Sequence, residues 1–223
     1  MSEIKQSLPA ARLSGRDPGL PSLLGDAFCL DFANTVEDRT GSNSIDFLES
    51  YDVLIRWIWH VWLIDDHQRD ALLRVGAHAS DIANSVFIRA IRLREAISHI
   101  FAAIAAGNNP ARADLDLLGT DYASTLAEGQ LERHGDRFDW EWDFSNAERQ
   151  PGRILGPIVQ SALTLLTSNQ LHRVKQCPGT DDCGWLFLDI SKNGTRRWCS
   201  MEGCGSRAKM RRLYARRKRE TDE

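Results

Sequence analysis

The apolar positions of this chain change rhythm along its length, and each rhythm predicts an element. Ala27–Phe32 is a short, largely apolar run, the pattern of a buried strand. Beyond it, Ser44 reads as a helix cap, and Phe47, Leu48, Tyr51, Leu54, Ile55 and Ile58 recur at helical spacing. Trp57, Trp59 and Trp62 make that stretch aromatic on several sides. DDHQRDALLRVGAHA reads as a short helix. ANSVFIRAIRLREAISHIFAAIAAG reads as a long one, with Val86, Ala90, Leu93, Ile97, Ile100 and Ile104 on one face and Gly107 as its stop. NPARADLDLLGTDYASTLAE continues as helix. The period then falls to two. Phe138, Trp140, Trp142 and Phe144 alternate with Asp139, Glu141 and Asp143, a half-buried strand, and the preceding HGD suggests a hairpin. RILGPIVQSALTLLTS returns to helix.

These elements define an α+β fold, a mostly helical N-terminal domain with a small antiparallel sheet. Residues 1–22, polar with Pro and Gly, read as a flexible leader before a domain spanning 23–170. The start of the chain lacks the apolar core of a signal peptide, and no run of eighteen apolar residues exists. The expected compartment is the cytoplasm.

Charge divides the chain where the patterning does not. Residues 173–219 carry thirteen Lys and Arg against four Asp and Glu, while residues 1–172 carry fifteen against twenty-four. A basic end on an acidic body points to a polyanion partner, or to docking of the tail on its own body. The six histidines are scattered, and no HExxH, Ser-His-Asp signature or phosphate-binding glycine loop is present. Nothing positive marks an enzyme. Cys29 lies within the first apolar run and reads as a small core residue. Asp31, within that run, and Asn34 and Thr35, just after it, read either as local backbone caps or as a small-molecule ligand site.

The other four cysteines fall within the basic end, as Cys177-x5-Cys183-x15-Cys199-x4-Cys204. Zinc takes a tetrahedral shell that four thiolates close completely, and clustered cysteines in a reducing compartment are metal ligands more often than disulfides. GWLFLDI and TRRWC read as two strands joined at Asn193-Gly194, a type I′ turn signal, and the second cysteine pair opens a helix, CGSRAKMRRLYARRK, that carries the last ligands. A knuckle, a hairpin and a helix make a treble-clef-like zinc finger over residues 171–219. Met210, Leu213 and Tyr214 form a narrow apolar stripe expected to pack on that hairpin. Arg196 and Arg197, with Arg207, Lys209, Arg211, Arg212 and Arg216 on the helix, are the candidate nucleic-acid contacts.

The stretch CGWLFLDISKNGTRRWCSMEGCGSRAKMRRLYARRK resembles the CGNR zinc finger, and GDAFCLDFANTVEDR resembles the opening of the ABATE domain. The resemblance implies a bacterial transcription regulator: a mixed α/β domain followed by a zinc-binding treble clef that binds DNA. It places the family's zinc ligands on Cys177, Cys183, Cys199 and Cys204. The signature CGNR is CGSR here, with Ser206 in place of Asn, which leaves the role of that position open. The expectation is therefore a zinc-dependent, duplex-DNA-binding regulator, with an N-terminal domain that senses a small-molecule effector or forms a homodimer through Trp57–Trp62. The alternatives are an adaptor whose basic finger docks an acidic protein, and an RNA-binding module.

Overall fold

The computed structural model of the chain describes residues 15–39, 44–179 and 183–221. The expected flexible leader falls partly outside this range, in residues 1–14. Its remainder, residues 15–22, is packed on the body. Leu20 is buried, the Asp17 amide donates to His60 Nδ1 at 2.9 Å, and His60 Nε2 donates to the Pro21 carbonyl at 3.1 Å. The His60 ring is therefore a neutral clamp, and desolvation holds its pKa below the usual value. Arg16 lies over the rings of Trp59 and Trp62, at 5.1 and 3.8 Å from their centroids.

Ala27–Phe32, expected as a strand, is helical. Helix α1 spans Phe28–Ala33, with the Ala27 carbonyl accepting from the amides of Leu30 and Asp31. Five of its six residues are buried, so its apolar run has no solvent-facing gap that could reveal a helical period. Two short strands follow, β1 (Val36–Glu37) and β2 (Ile45–Asp46), paired antiparallel. They displace the next helix start from Ser44 to Ser50, whose side chain caps α2 (Tyr51–His60) by accepting from the Val53 amide. Asp46 cannot join that helix, because its carboxylate takes both terminal nitrogens of buried Arg94, at 2.7 Å each.

Helix α3 (Asp66–His78) opens with a reciprocal capping box between Asp65 and Gln68. Helix α4 (Ser80–Ala105) is the spine of the domain. It packs against α1, α2, α3 and the next helix, α5 (Arg112–Leu126). Ala90, Leu93, Ile97 and Ile100 on its inner face are fully buried. Removing one such Leu or Ile side chain costs about 2–5 kcal/mol, because a rigid surround leaves a cavity. Gly107 ends the run with φ of 75°, as the stop signal requires.

The period-two segment forms a hairpin, β3 (Gln130–His134) with β4 (Arg137–Glu141), turning at Gly135 with φ of 63°. It is not half-buried: Leu131 and Phe138 are both 60% exposed. Trp142, just past β4, enters the core and donates to the Thr125 carbonyl at 2.7 Å. A 3-10 turn at Pro151–Leu155 leads into α6 (Gly156–Leu166), which packs on α1 and α5.

The cysteine-bearing part is not a separate body. Strands β5 (Val174–Gln176) and β6 (Leu186–Leu188) pair antiparallel, and Val174, Leu186 and Leu188 belong to the same apolar core as α1, α4 and α6. Helix α7 (Ser206–Thr221) follows a π-helical turn at Met201–Gly205. The hairpin expected between GWLFLDI and TRRWC does not form. Strand β6 pairs back to β5 instead, and Asn193-Gly194 makes a turn closed by the Gly194 amide on the Ser191 carbonyl at 3.2 Å. Gly194 has positive φ and Asn193 does not, so the type I′ geometry is absent. Among the described residues no helix is long and apolar enough to cross a membrane.

Candidate metal centre and basic helix

Strands β5 and β6 bring the first cysteine pair together. Their ladder extends past Gln176 through the Cys177 amide, which donates to the Trp185 carbonyl at 2.8 Å. Cys177 and Cys183 thus lie on a knuckle at the tip of this hairpin. Gly179 approaches closely there: a Cβ on it would lie 2.5 Å from the Cys183 amide nitrogen. Cys204 comes from the π-helical turn that opens α7. The Ser200 hydroxyl accepts from the Gly203 amide at 3.1 Å and fixes that turn. Ser206 donates from its hydroxyl to the Met201 carbonyl at 3.0 Å, so the Asn-to-Ser departure still anchors the turn.

The four sulfurs lie within 4.8 Å of one another and all four cysteines are buried. Cys183 to Cys199 and Cys199 to Cys204 are each 3.7 Å between sulfurs. A tetrahedral site with Zn–S bonds of about 2.3 Å has sulfur–sulfur edges of about 3.8 Å. A disulfide needs about 2.05 Å, and all the cysteines are free. The thiol hydrogen bonds of Cys183 and Cys199 hold Cys177 far below its ordinary pKa, and the Cys177 sulfur in turn raises Cys183 to about 12 and drives Cys199 upward. Without a cation, four sulfurs so close cannot all ionise. A divalent ion removes that conflict.

The surround suits a thiolate metal site. Phe187, fully buried, and the half-buried Trp185 and Trp198 pack on the cysteines. The Arg207 guanidinium donates to Cys204 Sγ at 3.2 Å, which offsets part of the negative charge that four thiolates bring to a dication.

A second network lies beneath this centre. Asp189 is fully buried and accepts from Lys175 Nζ at 2.6 Å, the Ser191 amide and hydroxyl, and the Arg196 amide at 3.0 Å. Burial opposes ionisation, but these donors outweigh it and hold the carboxyl well below its usual pKa. The Arg196 side chain pairs with Asp26 and donates to the carbonyls of Leu24 at 3.0 Å, Cys199 at 2.6 Å and Trp198 at 3.1 Å. Its guanidinium lies 4.4 Å from the Phe187 ring centroid. One arginine thus joins the N-terminal domain to a ligand-bearing loop.

The candidate small-molecule residues are also engaged inside the protein. Asn34 receives the Leu186 amide on Oδ1 and donates from Nδ2 to the Leu186 carbonyl, both at 2.8 Å, extending the β5–β6 sheet into α1's C-terminal end. Thr35 donates to the Phe32 carbonyl at 2.8 Å, and Asp31 accepts from the Gly25 amide at 2.7 Å. Trp185 donates from Nε1 to the Val36 carbonyl at 3.1 Å.

Of the candidate nucleic-acid residues, Arg197, Arg207, Lys209, Arg211, Arg212 and Arg216 are exposed, whereas Arg196 is committed to the junction. The expected packing of Met210, Leu213 and Tyr214 on a hairpin does not occur; they are 46%, 41% and 61% exposed. At about 100° per residue they lie roughly opposite Ala208, the buried residue by which α7 meets the metal module. Sequence reasoning missed Asp26, Lys175 and Asp189, isolated polar residues with no spacing pattern to mark them. Trp57, one of three tryptophans in the expected dimer surface Trp57–Trp62, is fully buried against Phe32, with ring centroids 5.1 Å apart.

A helical domain joined through one core to a four-cysteine cluster and a basic terminal helix has the features of a metal-binding protein. Residues 26–169 match the ABATE family, described as "Putative stress-induced transcription regulator", and residues 173–217 match the CGNR zinc finger. The first match spans more than half of the chain, which belongs to that family. No curated protein matches the chain. Both descriptions are of regulatory or metal-binding type rather than catalytic.

Proposed function

We propose that this chain is a cytoplasmic transcription regulator that binds one Zn2+ through Cys177, Cys183, Cys199 and Cys204 and grips duplex DNA through α7. The observation that carries this reading is the composition and placement of α7. Residues 206–218 contain seven Lys and Arg and no acid, all seven exposed, on a helix whose start is fixed by Cys204. Metal binding holds the helix root, and the exposed length of the helix presents charge to a phosphate backbone.

In this reading Arg197, Arg207, Lys209, Arg211, Arg212 and Arg216 make the contacts, while Arg196 holds the fold. Asp31, Asn34 and Thr35 act as fold-holding groups rather than effector contacts, which leaves the N-terminal domain's role in sensing or self-association to be located elsewhere. The test is titration of the zinc-loaded chain with duplex DNA, single-stranded RNA and an acidic protein competitor across a salt series. About four phosphate contacts give a log–log salt slope of about -3.6 on duplex DNA. Arg212→Glu with Arg216→Glu should weaken binding to every sequence. Salt-insensitive association, a preference for RNA or the acidic protein, or no DNA binding by the folded metal-loaded chain would overturn the reading.

A further inference from the structure

The sulfurs of the metal centre are covered by different kinds of donor. The Cys177 sulfur takes the amides of Gly179 and Cys199, and the Cys183 sulfur takes the amide of Trp185. Those are backbone groups, fixed by the knuckle and its strands. At Cys204 the donor is a charged side chain, the Arg207 guanidinium at 3.2 Å. Cys204 is 2% exposed and Arg207 is exposed, so the guanidinium stands between that sulfur and solvent. The two residues lie one turn apart, where the π-helical turn passes into α7. Glu37, at the end of β1, acts on the Arg207 charge from the side of the N-terminal domain.

We propose that Arg207 is a positioning residue of the metal centre, a cationic cap that keeps the Cys204 sulfur on the ion and closes it to attack. Four thiolates around a dication leave a formal net negative charge, and a charge-assisted N–H···S bond draws density from the sulfur that accepts it. A thiolate so engaged is a weaker nucleophile. Loss of the ion begins when one sulfur leaves it. Backbone amides on Cys177 and Cys183 move only with the chain, whereas the cap on Cys204 moves with a single side chain. Retention at Cys204 therefore depends on Arg207 more than on any base further along α7. The cap uses one N–H of the guanidinium, and its other donors remain for a phosphate. The inference rests on the zinc reading of the four cysteines and not on the nucleic-acid reading.

Transfer of zinc from the full chain to a chromophoric chelator tests it, together with iodoacetamide alkylation mapped by peptide mass. In the wild type Cys183, at 9% the most exposed of the four, should react first. Arg207→Met should weaken zinc retention about 10- to 100-fold, the usual cost of removing a partner of a metal ligand. It should also make Cys204 the first sulfur alkylated. Arg207→Lys keeps the charge without the planar fork and should fall between the two. Arg217→Met removes the same charge from α7 about 15 Å further along the helix and should retain zinc as the wild type does. Circular dichroism checks that each variant is folded. Wild-type retention in Arg207→Met, or in Arg207→Lys should Arg207→Met not fold, would overturn the proposal. So would alkylation that still begins at Cys183 in the variant, or an equal loss of retention in Arg217→Met, which would reduce the effect to net charge. A wild type that holds no zinc would overturn the zinc reading and this proposal together; a zinc-loaded wild type matched by Arg207→Met overturns this proposal alone.

Discussion

Arg196→Met removes a side chain that touches the N-terminal domain, the metal loop and the aromatic floor of the metal module together. The residue keeps most of the aliphatic volume over Phe187 but leaves the Asp26 carboxylate without its ion pair, and the Leu24 and Cys199 carbonyls without a charged donor. The side chains of Arg196 and Asp26 are 22% and 16% exposed, so water reaches the pair only in part. Breaking a buried pair by removing one partner costs about 3–5 kcal/mol. Partial exposure here and neutralisation of Asp26 reduce that, and about 3 kcal/mol is expected. Asp26 has an escape by taking up a proton, because burial already raises its pKa against the opposing pull of Arg196.

Urea unfolding of the metal-loaded chain, followed by tryptophan fluorescence, measures this directly. A loss of about 3 kcal/mol lowers the melting temperature by roughly 6–12 °C for a chain of this size. Asp26→Asn in the Arg196→Met background should recover part of the loss, since a neutral amide is cheaper to bury unpaired than a carboxylate. The salt slope on DNA should not change in the folded protein. If Arg196→Met leaves stability within about 0.5 kcal/mol of wild type while flattening that slope by about one unit, Arg196 is a phosphate contact and the junction argument is wrong.

Metal analysis should find one zinc per chain, and Cys199→Ser should lower that content; because β5 and β6 share the main core, its unfolding midpoint should fall for the whole chain, so a body that melts as in wild type would refute the coupling. Asp31 is fully encased, and burial raises its pKa to about 7 despite the Gly25 amide. Its stabilising contribution is therefore complete below about pH 4, the ordinary carboxylate value, and is lost as pH rises through about 7, by at most about 4 kcal/mol. Asp31→Asn can keep the Gly25 bond and should flatten the fall in stability between pH 5 and 8; parallel pH profiles for the two proteins would show that Asp31 ionises at its ordinary value.

What was legible in the sequence follows from which signals are local. The long helix α4 shows its face because one side is buried and the other is wet. The four cysteines show themselves by spacing, and HGD shows the β3–β4 turn through Gly135. The strand expected at Ala27–Phe32 became helix α1 because residues buried all round carry no period. The expected second hairpin failed because β6 found its partner at β5, behind the knuckle, a choice set by tertiary pairing that turn chemistry at Asn193-Gly194 does not report. Arg196 was legible as a charge and not as a contact. Its neighbour Arg197 is exposed, and no local pattern separates the one that points inward from the one that points out.

That distinction changes how the two family matches relate. The matches meet between residues 169 and 173, where the chain passes from α6 toward β5, but the apolar core does not stop there. Strand β6 lies against α1 and α4, and its Leu186 peptide is held at both polar groups by Asn34. Trp185 reaches the Val36 carbonyl, and Arg196 reaches Leu24 and Asp26. Each of these contacts pairs a polar group of the N-terminal domain with a residue lying between Cys183 and Cys199. The loop that closes the metal shell is thus shaped on one side by sulfur and on the other by α1 and its flanks. The expected consequence is that repacking α1 and losing the Cys199 ligand destabilise the same hydrogen bonds, so a double-mutant cycle of Asn34→Ala with Cys199→Ser should be non-additive in stability, and simple additivity would refute the connection.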